Sequence, residues 1–208
     1  MKKPILSALA AALAALCAPP SGYADDAKVM HYAVTVTNLT RGQIIAPPAV
    51  IAHDAQYEMF TLGAPALPEL AYLAETSNGG PMLKLAAGMP SVYSTTLGSV
   101  PIEPGKSQTV YIDTIKDYSK ISVAAMLTST TDAFMAVRGV QASNRGTVSV
   151  EAEAYDAGSE QNNESCSFVP GPPCGDRAHN PAPPEGYVHI HAGVHGNGDG
   201  IFNPAQLD

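Results

Sequence analysis

The chain has 208 residues, with 19 acidic and 11 basic side chains and a formal net charge of −8 at pH 7. An acidic surface of this kind excludes general electrostatic binding to nucleic acid or anionic lipid, and it attracts cations instead. Eighteen Gly, eighteen Pro and no Trp indicate many turns and short strands rather than a helical bundle.

The amino-terminal segment, Met1 to Ala24, has the pattern of a secretory signal peptide. Lys2 and Lys3 precede an apolar stretch that is too short for a typical membrane span, and small residues specify cleavage after Ala24. We therefore expect a secreted or periplasmic protein with no membrane insertion after cleavage. The remainder, residues 25–208, is predicted to form one domain with nine basic and nineteen acidic residues, a net charge of −10.

The first half of the mature chain contains three segments with a recognisable pattern. Apolar and polar residues alternate cleanly from Met30 to Thr37, which predicts a strand. Ile44 to Ile51 is apolar but contains two prolines, which favours an extended loop or an edge strand. Leu67 to Ser77 predicts a short helix with Pro68 in its first turn, stopped by Asn78-Gly79-Gly80.

Residues 81–105 carry many turn formers and remain unassigned. A further strand is predicted from Gln108 to Asp113, with Val110 and Ile112 on one face. His53, which precedes the helix, could be a ligand, but a hydrogen-bonded structural role is the more common fate of a lone histidine.

Three further strands are predicted in the central segment. They cover residues 122–128, 134–139 and 148–154, where Val148, Val150, Ala152 and Ala154 alternate with polar residues. If they run antiparallel in sequence order, the loops after the first and the third strand lie at the same end. That arrangement gathers Asp132, Asp156 and Glu160, whose carboxylates repel one another unless a cation or protons compensate. Oxygen ligands on loops suit calcium.

This segment resembles the spondin amino-terminal domain family. The resemblance is carried by Ser122-Val123-Ala124-Ala125-Met126, by Thr131-Asp132-Ala133-Phe134 and by Tyr155-Asp156-Ala157-Gly158-Ser159-Glu160. It implies a C2-like β-sandwich, found in extracellular matrix proteins and in secreted bacterial members, that binds calcium through residues matching Asp132, Asp156 and Glu160. The chain departs from the family at Thr130-Thr131-Asp132-Ala133, where the family has Ser-Pro-Asp-Trp, and at Glu160, where it usually has Asp.

Two features follow in the carboxy-terminal part. Cys166 and Cys174 flank a short loop, and in an oxidising compartment they predict a local disulfide. Farther on, alternation from Val188 to Ala192 predicts a strand whose apolar residues face inward and which places His189 and His191 together on the other face. With His195 they form an alternative site for zinc or copper, and surface or structural histidines remain the other interpretation.

The fold predicted from these elements is all-β: an antiparallel β-sandwich of the C2-like or jelly-roll type with one short helix. No closing strand is visible before Asp208, so the domain is expected to lack its last strand, and self-association through an open sheet edge would follow.

Three function hypotheses remain. The first is a non-catalytic, calcium-binding module that recognises an extracellular or cell-surface protein or glycan. The second is a periplasmic zinc- or copper-binding protein or metalloenzyme that uses His189, His191 and His195. The third is a filament or surface subunit completed by a neighbour's strand. No catalytic motif stands out in the sequence.

Overall fold

A computed structural model describes residues 28–176, 178–203 and 205. Eight strands and two helices follow in chain order: β1 (Met30–Thr37), β2 (Ala49–His53), α1 (Pro68–Thr76), α2 (Gly80–Ala87), β3 (Val92–Leu97), β4 (Ser107–Thr114), β5 (Lys120–Met126), β6 (Ala133–Gln141), β7 (Glu153–Asp156) and β8 (His189–Ile190). The predicted signal peptide lies outside the described residues. None of the described helices is long and apolar enough to cross a membrane.

The strands form two antiparallel sheets. One contains only β1 and β4, and the other has the order β3-β2-β5-β6-β7-β8. Val110 and Ile112 of β4 pack into a core with Val50, Ala52, Val123 and Ala125 of the larger sheet. The predicted all-β sandwich is thereby confirmed, with the predicted inward face of β4.

The two helices cover the opposite face of the six-stranded sheet. Leu70, Leu73 and Ala74 of α1 pack with Met82, Leu83 and Ala86 of α2 against Ile51, Ala124 and Phe134. The molecule therefore has three layers, with the larger sheet in the middle. This burial on both faces explains why β2 and most of β5 are buried throughout, as in sheets covered on both sides.

Helix α1 occupies nearly the predicted range, but α2 was not predicted. Gly79 and Gly80 at its start and Gly88 at its end make its sequence look like a loop. Pro81 is compatible with a first helical turn, where its missing N–H has no intrahelical partner to lose. The described residues therefore form two short α-helices where the sequence predicted one.

β2 differs from the sequence prediction. Ala49–His53 pairs with both β3 and β5, so it is a central strand and neither a loop nor an edge. The two prolines, Pro47 and Pro48, stand just before its first paired residue. No ladder hydrogen bond is lost to them, and the usual argument against proline in a central strand does not apply.

β7 is also shorter than predicted. It begins at Glu153, and Val148 and Val150 are 51% and 53% exposed. Their alternation therefore does not correspond to a buried face. By contrast, Tyr155 is buried and forms edge-on ring contacts with Phe60 at 4.8 Å, beside Phe134.

A small third cluster lies in the carboxy-terminal part of the chain. Val169, Val194 and Phe202 pack there with the half-buried Cys166 and Cys174. The two cysteines form the predicted disulfide, with their Cα atoms 5.0 Å apart. A disulfide is consistent with an oxidising compartment.

Candidate metal centre

The end of β7 is where the candidate site residues meet. Asp156 is the last residue of β7, it is fully buried, and it pairs with Ala133 on one side and His189 on the other. Asp132 directly precedes β6, so the antiparallel order of β5, β6 and β7 places the two aspartates side by side. This gathering of Asp132 and Asp156 is the one expected from the sequence.

Asp132 is saturated with hydrogen bonds. Its Oδ2 accepts from the amides of Ser159 and Glu160 at 2.7 and 3.0 Å, and its Oδ1 accepts from the Thr131 hydroxyl at 3.0 Å. Burial and the neighbouring charge of Asp156 raise its pKa to about 7. The described contacts of Asp132 therefore fasten the turn after β7 against the start of β6.

The Glu160 carboxylate lies in a different group. Its Oε1 is 2.6 Å from the Nδ1 of the exposed His179 and accepts from the Asn180 amide at 3.2 Å. Potential ligand atoms of Glu75, Glu160 and His179 lie within 4.8 Å of one another. The pKa of Glu160 is raised above its usual value, chiefly because burial disfavours the charged carboxylate.

Asp156 instead belongs with residues of the carboxy-terminal segment. Ligand atoms of Asp156, Glu185 and His189 lie within 4.8 Å of one another. The Nε2 of His189 is 3.5 Å from Asp156 Oδ1, and the Nδ1 of His191 is 3.8 Å from Asp156 Oδ2. Two ligand atoms on one tetrahedral zinc ion stand about 3.3 Å apart, given zinc–nitrogen and zinc–oxygen bonds of about 2.0–2.1 Å.

Three polar atoms at this place have no hydrogen-bond partner although they are buried: His189 Nε2, His191 Nδ1 and Glu185 Oε2. His189 donates its Nδ1–H to the carbonyl of Ile190 at 2.9 Å, because a carbonyl can only accept. In the neutral ring Nε2 therefore carries a lone pair, and this lone pair faces a carboxylate. Two acceptors in this position require a proton or a metal ion between them.

The Asp156 carboxylate is held in place from behind. Asn162 donates to its Oδ2 at 2.6 Å and the Gly158 amide donates to its Oδ1 at 2.7 Å. Burial alone would raise the pKa of Asp156, but His191, Asn162, the Gly158 amide and His189 together lower it below its usual value. The carboxylate is thus stabilised as an anion, the form that binds metal.

The donor set fits a transition metal. One or two imidazole nitrogens with two carboxylate oxygens make a mixed set that suits zinc, and imidazole ligands also suit copper, whereas calcium prefers oxygen alone. The Nδ1–H of His189 and the amide of Asn162 provide the outer hydrogen bonds that orient such ligands. The acidic and histidine residues here could hold a metal ion.

The third predicted histidine lies apart from this group. The ring of His195 is 55% exposed, and its Nδ1 is 3.8 Å from a carboxylate oxygen of Glu164. His189 and His191 do face Asp156 together, but Ile190 is 53% exposed and only Val188 of the alternating apolar residues reaches the core. Gly193, with φ of 87°, turns the chain before the alternation can continue.

His53 has the structural role favoured from its sequence context. It is buried, its Nδ1 donates to the Asp54 carbonyl at 2.6 Å, and its Nε2 lies 2.7 Å from the Ser122 hydroxyl. Ser122 Oγ in turn accepts from the Gly139 amide at 2.8 Å. Both ring nitrogens are therefore satisfied, and this histidine serves the packing of β2 on β5.

Sequence reasoning missed Glu185, Asn162 and His179. Glu185 stands four residues before His189, and Asn162 lies just after the acidic turn, so proximity in the chain was the only signal available. No protein-family model matches this chain, and no curated protein matches it.

Proposed function

We propose that this is a secreted or periplasmic metal-binding protein that holds a transition metal ion, zinc foremost, at the end of its six-stranded sheet. Asp156, Glu185 and His189 are the proposed ligands, and His191, whose Nδ1 is 3.8 Å from the other oxygen of Asp156, is the candidate for a fourth. The observation that carries the proposal is the unpartnered Nε2 of His189, which faces the buried Asp156 carboxylate at 3.5 Å.

The proposal joins parts of two separate sequence hypotheses. Asp156 comes from the calcium set, and His189 and His191 come from the transition-metal set. Their common location supports one centre rather than two. The disulfide Cys166–Cys174 and the signal-peptide pattern support a location outside the cytoplasm.

Calcium is the second candidate, because Asp132 and Asp156 lie side by side and are both buried. In this alternative the protein is a spondin-like module that recognises an extracellular protein or glycan. Two observations favour the transition metal. Asp132 Oδ2 already accepts hydrogen bonds from two amides, and Glu160 is directed towards His179.

Thermal unfolding of metal-stripped, untagged protein tests the proposal. Zinc at about 100 times its dissociation constant should stabilise the fold by about 2.7 kcal/mol. For a domain of this size the gain corresponds to roughly 5–10 °C in Tm. His189→Ala and Asp156→Asn should abolish the shift.

His195→Ala is the matched control, since it removes a histidine from the same segment but outside the group, and it should keep the shift. A stabilisation by calcium and not by zinc, lost in Asp132→Asn, would contradict the transition-metal centre and favour the calcium alternative. Stabilisation by zinc that survives both ligand substitutions would place the metal elsewhere.

A further inference from the structure

The two-stranded sheet has one long open edge. All eight residues of β1 pair with β4 in an unbroken antiparallel register. Among the described residues, no backbone group of Met30–Thr37 has a hydrogen bond to another backbone group outside this pairing. Alternate residues of an antiparallel strand turn their N–H and C=O groups away from the partner strand. The free side of β1 therefore presents a row of unpaired backbone groups, which is a template for another strand.

The other edges of the described structure are protected. β8, at one end of the larger sheet, has only two residues, and a very short edge strand offers little to pair with. β3, at the other end, lies beside β4, where the Ser94 hydroxyl donates to the Asp113 carbonyl at 2.5 Å. β1 is thus the long strand whose edge is left open.

The sequence of β1 lacks the residues that natural proteins use to keep edge strands apart. Met30–Thr37 contains no Pro, Gly, Lys, Arg, Asp or Glu, and its register with β4 has no bulge. Charges, prolines and bulges are the usual protection of an edge. The imidazole of His31 is held 2.5 Å from the Asp113 carboxylate. The edge therefore suits an uncharged partner strand.

The apolar row of β1 is only half covered. Tyr32 and Val34 pack against the core between the sheets but stay partly exposed, as does Met30. The residues between them, among them Ala33, face solvent. A strand added at the free edge would cover the open flank of the apolar row. The partner strand must then carry apolar residues at every second position, on the core-facing side.

A second copy of β1 meets this requirement. About a two-fold axis at Ala33, two antiparallel copies place Met30 opposite Val36 and Tyr32 opposite Val34, so every core-facing apolar residue of the strand faces another. Ala33 then faces its own counterpart. A shift by one residue would set apolar residues opposite exposed polar ones.

An axis at Val34 fits less well. It keeps the two faces matched but sets Met30 opposite the side of the chain occupied by Asn38, which is fully buried and donates to the carbonyls of Gln43 and Ile102 at 2.7 and 2.8 Å. The axis at Ala33 is therefore favoured.

The exposed face at this axis is also suited to pairing. Ala33 is paired with Tyr111 of β4, whose side chain is 73% exposed. Two small alanines at the axis leave room for the two Tyr111 rings to lie across them. The sheet would grow from two strands to four, and sheets of three or more strands are the stable ones.

We propose that two copies of this protein pair antiparallel through β1, about a two-fold axis at Ala33, and form one continuous four-stranded sheet. Such a dimer is closed, because each open edge is used by the other. The interface contains none of the proposed metal ligands, so the inference does not depend on the metal centre.

A single introduced cysteine tests the register. Cα atoms directly opposite in an antiparallel pair lie about 4.5–5.5 Å apart, within the span of a disulfide. Ala33→Cys should therefore form a covalent dimer under mild oxidation, read on a non-reducing gel. Cys166 and Cys174 are already paired with each other and do not compete.

Thr109→Cys is the matched control. Thr109 is exposed on the same face of β4, opposite Thr35. In the dimer at least three strand spacings, about 14 Å, would separate it from its counterpart, and a disulfide cannot span more than about 7 Å. This variant should stay uncrosslinked under the same conditions.

A charge at the axis tests the association without a covalent bond. Ala33→Glu sets two carboxylates directly opposite each other. It should raise the dissociation constant of the dimer about tenfold or more, roughly 1.4 kcal/mol, in sedimentation of the mature protein over a range of concentrations. Thr109→Glu adds the same charge beyond the Debye length of about 10 Å at 0.1 M salt and should change the constant far less.

A protein that stays monomeric at millimolar concentration would overturn the inference and leave the edge of β1 to a strand from another protein. A dimer that Ala33→Glu does not weaken would place the interface on another surface. Equal crosslinking of Ala33→Cys and Thr109→Cys would show random collision and contradict the proposed register.

Discussion

At the residue scale, the arrangement around Asp132 separates structural from ligand roles. Asp132 accepts from the amides of Ser159 and Glu160 and from the Thr131 hydroxyl. Asp156, its neighbour, has instead unpartnered imidazole nitrogens beside it. Two buried aspartates that look equivalent in the sequence therefore do different work: Asp132 holds the turn, and Asp156 is available to a cation.

Two substitutions of Asp132 should separate the effect of losing its hydrogen bonds from the effect of losing its charge. Asp132→Ala leaves buried amides without an acceptor and should lower the free energy of unfolding of the metal-free protein by about 2–3 kcal/mol. Asp132→Asn keeps an acceptor for Ser159 and Glu160 and removes the repulsion with Asp156, so it should cost less than about 1 kcal/mol. Urea unfolding at pH 7.5 measures both, and equal losses would contradict the fastening role.

His53 should make stability depend on pH. Burial is the largest cause that lowers its pKa from 6.5, so the unfolded chain binds a proton more readily than the folded protein does. The stability that the neutral ring contributes is present above pH 6.5 and is lost as the pH falls below this value towards the lowered pKa. The Ser122 hydroxyl, which donates to the neutral ring, would have to turn and accept from a protonated one.

Urea unfolding of the protein and of His53→Gln at several values between pH 7.5 and 5.5 measures this dependence. The loss of stability on acidification should be larger for the unchanged protein than for His53→Gln, because glutamine does not titrate. Parallel pH profiles would show that His53 does not carry the effect.

At the element scale, the sequence predicted the strands whose patterns reflect one buried and one exposed face. β1 has the predicted bounds, and β4 extends one residue beyond the prediction at each end. The sequence-based prediction failed where an element is buried on both faces, or where glycines hide the pattern of a helix. β2 is apolar throughout because it lies between two cores, and α2 begins and ends with glycines that read as a loop.

The candidate site was predictable only in part for the same kind of reason. The proximity of Asp132 to Asp156 follows from the antiparallel order of β5, β6 and β7. The approach of Glu185, His189 and His191 depends on β8 pairing with β7 across a long irregular segment, which no local pattern encodes. The surroundings of the Glu160 carboxylate depend in turn on where the chain brings His179 and Asn180.

The different roles of β6 and of residues 148–152 can be measured. Phe134 is fully buried and its ring lies 5.3 Å from that of Phe60, so Phe134→Ala should cost about 3–5 kcal/mol. Val150 is 53% exposed, and Val150→Ala should change the free energy of unfolding by less than about 0.5 kcal/mol. A large loss in Val150→Ala would indicate that this segment packs as a strand after all.

At the scale of the whole molecule, three layers bring distant parts of the chain to one end of the larger sheet. The β5–β6 loop, the turn after β7 and the segment after the disulfide all converge there. An acidic protein with net charge −8 attracts cations to such a place. The central claim is that a metal ion joins this end of the molecule through Asp156, Glu185 and His189.

A crystal structure of the zinc-loaded protein, with anomalous data at the zinc absorption edge, tests this claim most directly. We predict one strong peak about 2.0–2.2 Å from carboxylate oxygens of Asp156 and Glu185 and from His189 Nε2. A peak at Glu75, Glu160 and His179, a peak at His195 alone, or no ordered zinc would contradict the account.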